Sequence, residues 1–286
     1  MFTVTLNAVI NGLMYGSIWG IIALGFTLVF GVMDFVNFAQ GFFVLIFAYL
    51  SYFLFMNWGV EPYLSLIIII PLSFILGLSV YKYLGARLID EPHSSHIIVT
   101  LGLCFFVENG ILLIAGGDLR SAVTSYTSST FHVGSFIISY PRLWASLISW
   151  ACVILLFIFL KYTDFGKAMR AAADDREGAK IVGISVDRVY LVAFGLSILI
   201  AGIAGAVMIP FYLISPFSGM DFLSKAFAAV VIGGLGSVPG AIVGGLIIGV
   251  VESVAGVYFK ASLGNALTFF LVIIVLILKP SGLFRE

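Results

Sequence analysis

Residues 161–188 read KYTDFGKAMRAAADDREGAKIVGISVDR and lie between two long apolar runs, 143–160 and 190–214. This stretch holds 6 of the chain's 14 Lys and Arg residues and 5 of its 14 Asp and Glu residues. Charge gathered so densely faces water, so the flanking runs end on the same side of whatever apolar medium they occupy. The alanines at 168 and 171–173 favour helix, with Asp164 available as the N-cap. Gly183 is placed to close the segment in a left-handed conformation, and Ser185 to cap the helix that follows. Two readings stand at this point: a solvated loop between spans, or a helical plug that receives force from a soluble partner.

The rest of the composition identifies the medium. The chain has 286 residues, 62% hydrophobic and 10% charged, with a mean hydropathy of +1.18, whereas soluble domains carry about 25% charged residues. This is the composition of a polytopic membrane protein. A formal charge of zero argues against a nucleic-acid partner, which needs a basic face to release counterions. Cys104 and Cys152 sit inside apolar runs and read as small buried hydrophobes. The first Lys or Arg is Lys82, so there is no basic region for a cleaved signal peptide, and the first run is expected to stay as a span. Only helices or a closed barrel satisfy their backbone in lipid, and these runs are too continuous for alternating barrel strands. The expected fold class is all-α, a polytopic membrane helix bundle forming a single domain over 1–286.

Candidate spans are 8–30, 42–56, 63–81, 97–115, 143–160, 190–214, 222–234, 241–259 and 263–278. The seventh is too short to cross comfortably, so about eight or nine membrane segments are expected, at least one broken or re-entrant. Lys82 with Arg87, the 161–188 segment, and Lys279 with Arg285 mark the connections expected to be cytoplasmic, including the C-terminus. The connection 116–141 has Arg120 as its only Lys or Arg and is rich in Ser and Thr, so it is expected to face outward.

Glycine spacing suggests which helices touch. Gly12, Gly16 and Gly20 share one helical stripe, Gly236, Gly240 and Gly244 another, with Gly245 and Gly249 beside it; four-residue spacing lets backbones approach in lipid. Two stretches are candidate discontinuities: 34–41, with Asp34, Asn37 and Gln40, and 233–240, with Gly233, Gly234, Gly236 and Pro239. Unwound backbone at membrane depth is tolerated where it is buried in protein or lines a water-filled cavity, so two breaks suggest a conduit.

Catalytic motifs are missing. No phosphate-binding loop of the G-x-x-x-x-G-K-[ST] kind occurs, and neither does H-E-x-x-H, so no ATP hydrolysis by this chain, no bound cofactor and no metal are expected. His93 and His96 at i, i+3 have no third ligand near in sequence, and His132 stands apart. Glu108 and Glu252 are the clearest ionisable residues within spans, with Asp34, Asp221 and Lys225 near boundaries. Each costs at least about 2.5 kcal/mol at a helix centre, which marks Glu108 and Glu252, beside Asn37 and Gln40 of the first break, as candidates for a polar pathway. Hydrogen bonding to neighbouring helices is the competing reading of the two glutamates.

Several blocks resemble a known family. They are 11–17 (NGLMYGS), 23–27 (ALGFT), 37–41 (NFAQG), 166–171 (GKAMRA), Gly183-Ile184, 201–206 (AGIAGA), 231–237 (VIGGLGS) and Glu252-Ser253. In this order they are similar to the bacterial branched-chain amino acid ABC transporter permeases of the LivH type, over nearly the full chain. The resemblance implies an importer for leucine, isoleucine and valine in the inner membrane. Two permease subunits, identical or paralogous, form its pore, two cytoplasmic ATPases consume ATP and Mg, and an extracytoplasmic binding protein delivers solute. It also implies that Gly166, Lys167, Arg170, Ala171, Asp174, Ala179 and Gly183 belong to a coupling loop that docks on the ATPase. Family members usually have His where this chain has Gln40. A permease for urea or another small solute in the same family, a proton-coupled secondary carrier and a membrane scaffold are the alternatives.

Overall fold

The structure is a computed structural model, described here for residues 1–133, 136–259 and 261–284. Helix α1 (Phe2–Met33) has 32 residues and is about 48 Å long at 1.5 Å per residue, more than a bilayer core needs. It stops at Asp34, in the left-handed region at φ 51°, with its N–H bonded to Phe30 O; aspartate tolerates that conformation better than most side chains. After the stretch 34–39, α2 (Gln40–Trp58) runs to a left-handed Gly59. Helix α3 (Leu66–Val80) passes through a π-helical turn (Tyr81–Gly85) into the short α4 (Ala86–Leu88). Lys82 and Arg87 therefore extend a helix where the sequence suggested a connection; the turn is 89–92. Pro92 has an extended ψ of 153° and starts α5 (His93–Ala115).

The connection 116–141 carries an antiparallel strand pair, β1 (Thr130–Val133) with β2 (Phe136–Ser139), which the sequence did not announce. Helix α6 (Tyr140–Tyr162) leads to α7 (Asp164–Asp174) and α8 (Arg176–Ile181), and then to α9 (Val186–Met208). The run expected to span 190–214 leaves helix at Ile209 because Pro210 cannot continue it. Helices α10 (Ser218–Gly233), α11 (Val238–Tyr258) and α12 (Ala261–Leu278) complete the chain. Among the described residues seven helices are long and apolar enough to cross a membrane, and 264–278 forms a shorter apolar helix. Helix α10, with 16 residues, reaches about 24 Å and matches the seventh run, too short to cross comfortably.

The core is a backbone contact between α1 and α11. A Cβ on Gly12 would lie 2.7 Å from Val250 Cα, and one on Gly16 2.7 Å from Leu246 Cα. One on Gly249 would strike the Gly16 backbone. The second glycine stripe splits: Gly245 and Gly249 face α1, whereas Gly240 and Gly244 face Gly233 and Ala229 of α10. Lipid supplies no hydrophobic drive between helices, so this close approach carries the packing.

One charged pair lies within the core. Lys225 Nζ of α10 sits 2.8 Å from Glu252 Oε1 of α11, with side chains 12% and 11% exposed. The ammonium also lies 4.6 Å from the Trp19 ring centroid on α1. Removing one member of a buried pair strands the other charge, at about 3–5 kcal/mol, while an apolar pair can restore most of that loss.

The three basic clusters gather at one end of the bundle. Arg176 pairs with Asp90, a Cβ on Gly31 would lie 3.2 Å from Gly236 O, and Phe284 N bonds Gly233 O. Arg285 lies outside the described residues.

Two outcomes follow for purified protein in detergent. Gly16→Ala lowers the apparent melting temperature, while Gly256→Ala, whose added Cβ meets nothing within 4 Å, holds or raises it by the equivalent of about 0.5–1 kcal/mol of helix propensity. Lys225→Met lowers thermal stability strongly, and adding Glu252→Leu recovers most of it.

Candidate functional site

The stretch 34–39 enters the bundle as non-helical backbone, so its polar groups need partners. Phe35, Asn37, Ala39 and Gln40 are all buried. Asn37 Oδ1 accepts from the Ala39 N–H at 3.1 Å, and the Phe38 N–H donates to Thr100 Oγ1 of α5 at 3.3 Å. The Cys104 thiol donates to Phe38 O at 3.5 Å. Gln40 donates through Nε2 to Ser197 O and accepts at Oε1 from the Ser197 hydroxyl, which also reaches Gly25 O. Ser197 lies eleven residues into α9, about 16 Å along its axis, so α2 begins deep in the bundle. Gln40 has no exposed surface and its amide ties α1, α2 and α9 together.

The other candidates are spread out. Glu252 belongs to the ion pair with Lys225. Glu108 is half-buried on α5, beside the exposed Asn109, and its carboxylate has no ion pair among the described residues. The structure thus joins Asn37 to Gln40 and leaves Glu108 and Glu252 elsewhere. Gly233 ends α10; Gly234 and Gly236 have φ of 104° and 85°. Ser237 Oγ then caps α11 by accepting from Gly240 N at 3.1 Å, with Pro239 in the first turn. Such positive φ values favour glycine.

A cavity of about 920 Å³ opens at the end of the bundle that carries α7 and α8. Its wall includes Asp34, Asp90, His93, His96, Arg176 and Gly236. His93 Nε2 lies 3.4 Å from Asp34 Oδ2. His96 stacks on Phe35 with ring centroids 4.3 Å apart and shares a 2.7 Å hydrogen bond with Leu88 O. No cluster of three or more potential metal ligands occurs among the described residues. The His132 side chain lies outside them.

The segment 161–188 forms a helical corner. Thr163, not Asp164, caps α7: its Oγ1 accepts from Gly166 N at 3.0 Å. A Cβ on Gly166 would lie 2.6 Å from Leu160 Cα, so glycine permits the tight α6–α7 corner. Arg170 Nη1 donates to Leu160 O across that corner. Asp164 instead bonds Lys167 at 2.9 Å, which holds its carboxyl below the usual carboxylate range. Asp175 caps α8 by accepting from the Glu177 and Gly178 N–H groups. Met169, Ala172 and Ala179 turn inward and are buried, while Lys167, Arg170, Asp174 and Gly183 are exposed and Ala171 is partly so. Gly183 closes the corner at φ 88°, and Ser185 stands at the start of α9 without a side-chain cap bond. Two apolar residues are left at the tip, Ile181 at 86% and Val182 at 75% exposure.

Sequence reasoning missed Asp90, Arg176 and Lys225 as partners. Their contacts join residues 86 and 27 positions apart, beyond any local pattern; the charged turn Asp90-Glu91-Pro92-His93 was the signal available.

Comparison with known proteins places this architecture. A family model described as branched-chain amino acid transport system / permease component matches residues 8–278. The high-affinity branched-chain amino acid transport system permease protein LivH of Salmonella typhimurium is 32% identical, over 99% of this chain and 96% of its own length. BraD of Pseudomonas aeruginosa is 27% identical over 97% and 95%, and the probable LivH of Methanocaldococcus jannaschii is 29% identical over 96% and 90%. No solved structure matches the chain. A helical bundle with this break pattern, matched almost end to end, belongs to the branched-chain amino acid transport permease family.

Proposed function

We propose that this chain is the membrane-embedded pore subunit of an ATP-driven importer for leucine, isoleucine and valine in the bacterial inner membrane. In this reading the chain is no enzyme. Two cytoplasmic ATPases use ATP and Mg, a second permease subunit completes the pore, and an extracytoplasmic binding protein hands over the solute. The observation that carries it is the α7–α8 corner. Three small or flexible apolar side chains, Met169, Ala172 and Ala179, seat it against the bundle. At its tip Ile181 and Val182 stand exposed beside Lys180 and Gly183. An apolar tip with a charged rim, outside the apolar spans, has the make-up of a protein–protein contact core. The corner and the bundle end bearing Lys82, Arg87 and Lys279 face the cytoplasm in this reading, as the positive-inside rule favours.

Glu108 faces the solute route or the second permease subunit. Helix α5 has a mean hydropathy of 2.3 and just 17% of its window buried, so a half-exposed carboxylate there would cost at least about 2.5 kcal/mol against lipid. Asn37, Gln40 and Glu252 act behind the route: they fix the re-entrant stretch and the α10–α11 pair that give it shape.

The test is Ile181→Ser together with Val182→Ser in the assembled transporter. Membrane insertion stays at the parent level, copurification of the ATPases is lost, and uptake of labelled leucine falls at least about tenfold, since loss of a contact core costs several kcal/mol. Unchanged ATPase association and uptake would contradict the proposal.

A further inference from the structure

We propose that Arg176 is the positioning residue through which the docking corner moves α5, by way of its ion pair with Asp90. The proposal rests on the reading of α7 and α8 as the ATPase contact.

Helix α5 is the span best placed to move. Of its apolar window 17% is buried, against 89% for α1. Its foot is the turn 89–92, where Pro92 sets the start of the helix with an extended backbone. The attachments of that foot are few and of two kinds. His93 faces Asp34 at the end of α1, and His96 bonds Leu88 at the end of α4; both hold α5 to the bundle. Arg176 Nη1 to Asp90 Oδ1, at 2.6 Å, runs instead from the foot to the first residue of α8.

Arg176 is braced for this work. Its guanidinium lies 5.8 Å from the ring centroid of Tyr190, a side chain of α9 that is itself buried. The neighbouring Asp175 fixes the start of α8 by capping it. Tyr190 sets the direction of the guanidinium, and because Arg176 is itself the first residue of α8, displacement of α8 by a partner pulls on the Asp90 turn through the 2.6 Å bond. The hydrogen bond from Arg176 also holds the Asp90 carboxyl below its usual range, so the pair stays charged at neutral pH. An exposed pair is weak in isolation, which suits a contact remade in every transport cycle. The cavity beside it, walled by both partners, leaves room for the turn to swing.

The experiment uses the complete transporter in proteoliposomes and measures leucine uptake per ATP hydrolysed. R176E and D90R are each expected to lower that ratio about fivefold, the lower end of typical allosteric coupling. The swapped pair D90R/R176E is expected to restore it to within about twofold of the parent, on the same coupling scale. Single reversals that leave the ratio unchanged, or a swap no better than the singles, overturn the proposal. If a reversal fails to copurify with the ATPases, the neutral series R176Q, D90N and their double replaces it. Non-additive losses then support the pair, and additive losses overturn it. A parent transporter whose uptake ignores ATP overturns the docking reading as well, a result visible before any substitution is made.

Discussion

A bilayer offers no water to an open amide, and that constraint organises this chain. Helix satisfies it along most of the sequence; two of the non-helical stretches, 34–39 and 234–237, are packed against other helices. The first is stitched by Asn37, Thr100, Cys104 and the Gln40–Ser197 pair. The second is closed by left-handed glycines and the Ser237 cap. The first break is held by α5 and α9, and the second rests on the contact of α1 with α11, where glycine lets one backbone rest on the other. Move α11 outward by a methyl group and the 234–237 turn, which abuts Gly31 and Gly240, loses its seat.

On that frame the parts differ in freedom. Helices α1 and α9 are mostly buried, while α5 and α6 have 17% and 28% of their windows buried. The charged corner bridges the two groups: Gly166 packs against α6, and Arg176 reaches both the Tyr190 ring of α9 and the Asp90 turn at the foot of α5. The most deeply buried helices and the least buried ones are thus distinct elements. A transport cycle needs such a division, with one body that holds shape and another that shifts around it.

Much of this was legible in the residues. Continuous apolar runs gave the class and located the long helices, because lipid permits so few alternatives. The glycine stripes predicted tight packing of 12–20 and 240–249, although not which face of α11 meets which neighbour. Helix ends were less legible: Thr163 outcompetes Asp164 as a cap because its hydroxyl reaches Gly166 N, and Pro210 truncates a run that hydropathy alone extended to 214. The π turn at 81–85 and the strand pair at 130–133 and 136–139 left no local mark strong enough to read. Among candidate site residues, polarity singled out Asn37, Gln40 and Glu252, which the structure buries or pairs, yet polarity cannot say whether a buried amide lines a route or clamps a joint. That distinction depends on partners such as Ser197 and Lys225, distant in sequence.

In the proposed reading the chain holds a passage and takes its motion from outside through α7 and α8. Its most direct test is uptake of labelled leucine into proteoliposomes, comparing the chain alone under an imposed pH gradient with the complete assembly, binding protein included, supplied with ATP. The account predicts no gradient-driven uptake by the chain alone and ATP-dependent uptake by the assembly. Uptake by the chain alone that follows the proton gradient and ignores ATP would contradict it.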